Sequence, residues 1–164
     1  MNDTDNICAI STPQGNGAIA VIRVDGNEVF SLMDRIFEPA GEKRPIKDLA
    51  SRKMHFGRIM DGEQVLDEVL LVPFHAPNSY TGNNMVEISC HGSRYIQQKM
   101  LQLLINHGAR TADPGEFTMR AFHNGKMDLA QAEGVADLIA STSSASHKLA
   151  MQQMRGGFSS EIKN

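Results

Sequence analysis

Three residues could together do binding chemistry: Arg23, Glu87 and Lys126. Glu87 lies inside the run 85–91, whose period-two alternation puts Met85, Glu87, Ser89 and His91 on one strand face and Val86, Ile88 and Cys90 on the other. Two readings stand. Either that face is open to solvent and Glu87 is a plain surface carboxylate, or its two oxygens accept a pair of parallel N–H donors from a polar heterocycle; a buried carboxylate without such partners would be costly. Arg23 is flanked on its own face by Ile19 and Val21, and Lys126 follows the helix-breaking pair Asn124-Gly125. Two cations and one carboxylate would suit an anionic ligand bearing a heterocycle, and the residues alone leave both readings open.

Other chemistries are poorly served. The six histidines are 16 to 24 positions apart, so none share a helical face for a metal. There is no G-x-S-x-G nucleophile elbow, and Cys8 and Cys90 have no catalytic context. Gly125-Lys126 is the sole Gly-Lys pair and lacks the remaining phosphate-loop residues. No catalytic residue and no metal ligand is assigned.

These side chains must be positioned by a chain of 164 residues, 16 basic and 19 acidic, with a net charge of −3. That length suits one domain, or one domain and part of a second. With 41% hydrophobic and 21% charged residues, disorder, collagen and coiled coil are excluded. No apolar run reaches the roughly 18 residues of a membrane span. The acidic start has no apolar run behind it, which argues against a cleaved signal peptide, and two distant cysteines point to a reducing cytoplasm. One basic run stands out: Lys43, Arg44, Lys47, Arg52, Lys53 and Arg58 face only Asp48. With Phe56 its one aromatic, it reads first as a solvated loop and edge strand, and second as a nucleic-acid contact.

The patterning predicts strands over 7–11 and 18–24, a helix through Val29, Phe30, Met33, Ile36 and Phe37, and two strands over 52–60 and 65–74 around an Asp61-Gly62 turn. A long irregular segment, 75–84, has the character of a loop that serves a site. Strand 85–91 leads into a helix capped by Ser93 and stopped by Gly108, then a short strand over 109–112. Thr118 is expected to cap a short helix ending at Phe122. Asp128 and Gln131 suggest a capping box for one long helix reaching Met154, with Leu129, Ala132, Val135, Ala136 and Ile139 as its stripe. The expected class is α+β: a mixed sheet with helices packed on it over residues 1–120, then the truncated start of an all-α domain over 121–164.

Three segments carry a resemblance. Residues 7–23 (Ile7-Cys8-Ala9-Ile10-Ser11-Thr12-Pro13-Gln14-Gly15-Asn16-Gly17 through Arg23), the segment Ala76-Pro77-Asn78-Ser79-Tyr80-Thr81-Gly82 leading to Glu87 and His91-Gly92, and above all the 20-residue run from Pro114-Gly115-Glu116-Phe117-Thr118 to Glu133 resemble the N-terminal end of the MnmE (TrmE) tRNA-modification GTPases. The resemblance implies a domain similar to the folate-binding domains of one-carbon transferases, which dimerises and binds 5-formyltetrahydrofolate or another tetrahydrofolate derivative. It places the folate contacts on Arg23, Glu87 and Lys126. It further implies a full-length protein that uses GTP, magnesium and potassium in a G domain absent from this sequence. That protein modifies the wobble uridine of tRNA with a flavoprotein partner (MnmG, or GidA), in the cytoplasm and without a membrane. This chain by itself is not expected to hydrolyse GTP.

Two alternatives accompany that reading: a dimerisation module with a vestigial pocket, and a free-standing folate-dependent aminomethyl transferase. Two departures from the family pattern are visible. Asn83-Asn84 stands where relatives carry an acidic residue after Thr81-Gly82, and His123 stands where an aliphatic is common.

Overall fold

The computed structural model describes residues 4–156. The readings made of Met1-Asn2-Asp3 and of the stretch from Gly157 to Asn164 lie outside the described residues. The chain divides into two compact units, one of residues 1–79 and 83–114, the other of residues 80–82 and 115–164.

The first unit is a seven-stranded mixed sheet with helices. Its strands are β1 (Ile7–Ile10), β2 (Ile19–Asp25), β3 (Phe37–Pro39), β4 (His55–Asp61), β5 (Gln64–Phe74), β6 (Met85–His91) and β7 (Arg110–Thr111). They run in the order β3-β4-β5-β6-β2-β1-β7. Every pair is antiparallel except β1 with β7. Helices α1 (Val29–Asp34) and α2 (Arg94–Asn106) complete the unit. Alternation along the strands sends Ala20, Ile22, Val24, Ile88, Val69 and Leu71 into a core with Leu32 and Met33 of α1 and Met100 and Leu104 of α2. The other side of the strands carries Ile19, Phe56 and Leu70 as exposed apolar residues. Ser93 caps α2 as expected, its side chain accepting from the Ile96 N–H.

Helix α1 ends at Asp34, short of the predicted span, because Phe37 leaves the helical stripe to pair with Ile59 as the first residue of β3. Strand β4 begins at His55 and not at 52, since Arg52 has φ +61°, a left-handed conformation that no strand residue holds.

The second unit contains α3 (Glu116–His123), α4 (Leu129–Ala140) and α5 (Ser144–Met154). Thr118 does not cap α3; the cap position is Gly115, and Thr118 falls inside the helix. The single long helix expected to Met154 is two. Asp128 and Gln131 form the capping box of α4 as read from sequence, but Ser143 and Ser146 form another that starts α5. Hydroxyls at 141–143 offer the backbone local hydrogen bonds that compete with helix continuation. The chain therefore turns, and α5 packs back on α4. The two helices meet at Gly134, where an added Cβ would stand 2.7 Å from the Met154 nitrogen and 2.8 Å from the Gln153 Cβ. No helix among the described residues is long and apolar enough to cross a membrane.

Candidate functional site

Strands β2 and β6 pair with Arg23 directly opposite Glu87. On the outer sides of that pair stand Ala9 of β1, opposite Arg23, and Val72 of β5, opposite Glu87. A small and an apolar residue thus border an ion pair on a continuous four-strand row. An Arg23 guanidinium nitrogen lies 3.6 Å from Glu87 Oε1, with the side chains 22% and 29% exposed. That separation is an ion pair, too long for a hydrogen bond. Among the described residues the Glu87 carboxylate makes no hydrogen bond at all. A half-buried carboxylate with open acceptor sites beside a five-donor guanidinium is equipped to grip a planar ring bearing N–H groups and carbonyls.

Lys126 lies in the second unit and is described with it. Its backbone N–H donates to the Ala121 carbonyl at 2.8 Å, which folds the chain back after α3 and leaves the residue exposed. The Tyr80-Thr81-Gly82 loop belongs to this unit. The Tyr80 hydroxyl meets the Thr118 hydroxyl at 2.8 Å, and the Asn124 amide donates to the Thr81 carbonyl at 2.7 Å. Gly82, at φ +86°, lets the loop approach so closely that a Cβ there would sit 2.9 Å from the Asn124 Cβ and 3.3 Å from the Lys126 Cγ. Residues 80–82 and 118–126, parts of two segments singled out in the sequence, therefore meet next to Lys126. The structure pairs Arg23 with Glu87 and gives Lys126 a built support.

Two polar clusters of the first unit were not foreseen. Asp67, 9% exposed, accepts through one oxygen from the His91 backbone N–H and meets His91 Nδ1 with the other, each at 2.8 Å. Its position follows a register shift in the β4–β5 ladder that leaves Leu66 unmatched, a bulge of the kind that re-aims side chains. The signal was an aspartate within the apolar run 65–74. The second is Asp25, fully buried, which accepts from the Asn83 side-chain amide at 3.1 Å. This gives Asn83 a reason: an ionised carboxylate at that position has no hydrogen to donate. Burial pushes the Cys8 and Cys90 thiols up to about 11, with the Asp67 charge adding to the rise at Cys90. Such thiols are protonated at neutral pH and poor nucleophiles.

A family model described as "GTP-binding protein TrmE N-terminus" matches residues 6–126. The chain belongs to the TrmE family. All three residues of interest fall inside the TrmE match, with Lys126 its last position. The chain is 59% identical over 158 residues to a protein of Bacteroides thetaiotaomicron named "tRNA modification GTPase MnmE", covering 96% of this chain and 34% of the relative. A protein of the same name from Flavobacterium psychrophilum is 56% identical over 158 residues, with the same coverage. One from Christiangramia forsetii is 54% identical over 163 residues, 99% of this chain and 34% of its own length. The chain spans about a third of the length of these curated TrmE-family relatives.

Proposed function

We propose that this chain is the tetrahydrofolate-binding, dimerising N-terminal part of a tRNA-modification GTPase. Residues 1–120 form the folate-binding domain, similar to those of one-carbon transferases, and residues 121–164 begin a helical domain. The observation that carries the reading is the Arg23–Glu87 pair: a carboxylate held by one long ion pair, its hydrogen-bonding capacity open. Its chemistry fits a pterin, whose ring N–H and exocyclic amine are adjacent parallel donors. Glu87 accepts from those donors. Arg23 orients the ring through its carbonyl, and Lys126 meets a carboxylate of the glutamate tail as a point charge. Bound folate supplies a one-carbon unit; these residues bind and orient it.

The names of the relatives support tRNA modification and GTP hydrolysis by the whole protein. The rest of the proposal (action at the wobble uridine in the cytoplasm, magnesium and potassium used with GTP outside this chain, an MnmG/GidA-type flavoprotein partner) rests on the family resemblance. The homodimer belongs to the same proposal and rests on the family resemblance. Calorimetric titration with 5-formyltetrahydrofolate tests the folate assignment. Glu87→Ala should abolish measurable heat while the dimer mass by light scattering is unchanged; full affinity in that variant removes Glu87 from the site. A dimer that binds no folate would instead make the pocket vestigial.

A further inference from the structure

The run from Lys43 to Arg58 carries six cations and one carboxylate, a surplus of five positive charges in a chain whose net charge is −3. Every one of the six is exposed. Arg44 pairs with Glu42 and Arg58 with Glu38, both at 3.2 Å. Lys43, Lys47, Arg52 and Lys53 have no ion-pair partner among the described residues. The segment bearing them is anchored. Ile46 and Leu49 are buried, the Ile46 N–H donates to Asp34, and His75 Nε2 reaches the Lys47 carbonyl at 2.9 Å. The Arg52 N–H donates to the Pro73 carbonyl at 2.8 Å, and His55 Nε2 meets the Ala50 carbonyl. Cations on an anchored support have already lost much of the freedom that binding would take away.

Arg52 adds an independent sign. Its φ of +61° is a conformation that glycine or asparagine adopts at far lower cost. An arginine kept there trades stability for its side chain, which is the pattern of a functional residue. On the same run, an open cleft of about 510 Å³ is lined by Arg44 and its partner Glu42, with Asp48, Met54, His55 and Phe56; Lys43, Lys47, Arg52 and Lys53 lie outside its lining. Phe56 is 51% exposed and Met54 68%. Unpaired, exposed cations on the same short run as an exposed aromatic ring supply what a single-stranded nucleic acid needs: phosphate neutralisation and a face for one base.

We infer that this surface binds a single-stranded segment of RNA, with Lys43, Lys47, Arg52 and Lys53 on the phosphates and Phe56 stacked on a base. The choice of RNA over DNA rests on the reading proposed above; the polyanion and stacking chemistry does not.

The test is fluorescence anisotropy of this chain with a labelled single-stranded RNA of about 12 nucleotides, against an RNA duplex of the same length and phosphatidylserine vesicles. Wild type should bind the single strand in preference to both, with affinity falling steeply as salt rises. Changing Lys43→Gln, Lys47→Gln, Arg52→Gly and Lys53→Gln together should flatten the log–log salt slope by about 3, at roughly 0.7 per phosphate contact. Phe56→Ala should weaken the single strand about tenfold and the duplex far less. Arg52→Gly alone should weaken RNA while leaving the Tm unchanged or higher, which a merely structural Arg52 would not do. No RNA binding at low salt, an unchanged salt slope in the fourfold variant, a duplex bound as well as the single strand, or tighter binding to the vesicles overturns the inference. Titration of 5-formyltetrahydrofolate into the same samples separates the two ideas: folate binding without RNA binding refutes this surface alone, and RNA binding without folate refutes the folate reading alone.

Discussion

Arg23 and Glu87 face each other across the β2–β6 ladder, guanidinium to carboxylate at 3.6 Å, in a register that sets Ile22 opposite Ile88 in the core. The same pairing that seals the core thus fixes the charge pair, because a slip of one residue would send both charges to the other face. Both side chains are partly exposed and no hydrogen bond joins them, so the pair contributes little to folding. Glu87→Gln should cost at most about 1 kcal/mol of unfolding free energy in urea. A loss much above that would make the pair structural in purpose.

Asp67 is different. Its carboxylate replaces a β5 backbone partner for the His91 N–H just beyond the point where the β5–β6 ladder ends at Leu70 and Ser89. Asp67→Ala strands that N–H and the His91 ring, and should lower stability in urea by about 1–3 kcal/mol. Asp67→Asn, which keeps an acceptor for the N–H, should lose less.

Gly134 sets the closeness of α4 and α5. Alanine there, a better helix former, should nevertheless destabilise the helix pair by about 1–3 kcal/mol, because its Cβ meets backbone that cannot move aside. Thermal melts followed by circular dichroism at 222 nm (a helix signal) should show the loss; a higher Tm would mean that the helices separate at no cost.

The two thiols impose a pH dependence of definite sign. Folding raises both from 9.0 to about 11, so the native state holds their protons more tightly than the unfolded chain. That contribution is intact below about pH 9 and is lost as pH rises toward about 11. Wild type should therefore lose more stability between pH 8 and pH 10.5 (about the span of that transition) than a Cys8→Ala/Cys90→Ala variant. Equal losses would show that the thiols do not contribute.

Much of this was legible because local pattern and tertiary outcome agree. Alternation gave β2 and β6, and with them the face of its own strand on which each of Arg23 and Glu87 stands; Ser93 and the Asp128–Gln131 box gave helix starts. Two of the failures share one cause, a contact distant in sequence overriding a local preference, and the third is local. Phe37 continues the α1 stripe but pairs with Ile59, 22 positions on. Thr118 has a capping side chain but meets Tyr80 across 38 positions. The α4–α5 break depended on Ser143 finding Ser146, where serines alone only weakened the helical pattern. Of the site, residue types and strand faces could be read, whereas the 3.6 Å separation and the open acceptors of Glu87 needed the register.

The central claim is that Glu87 and Arg23 form a folate grip, and calorimetric titration of this chain with 5-formyltetrahydrofolate tests it most directly. Saturable binding at one site per chain, lost in Glu87→Ala and weakened in Arg23→Ala with both variants folded, is the predicted result. Absence of binding by the folded wild-type chain, or equal binding by all three, would contradict it.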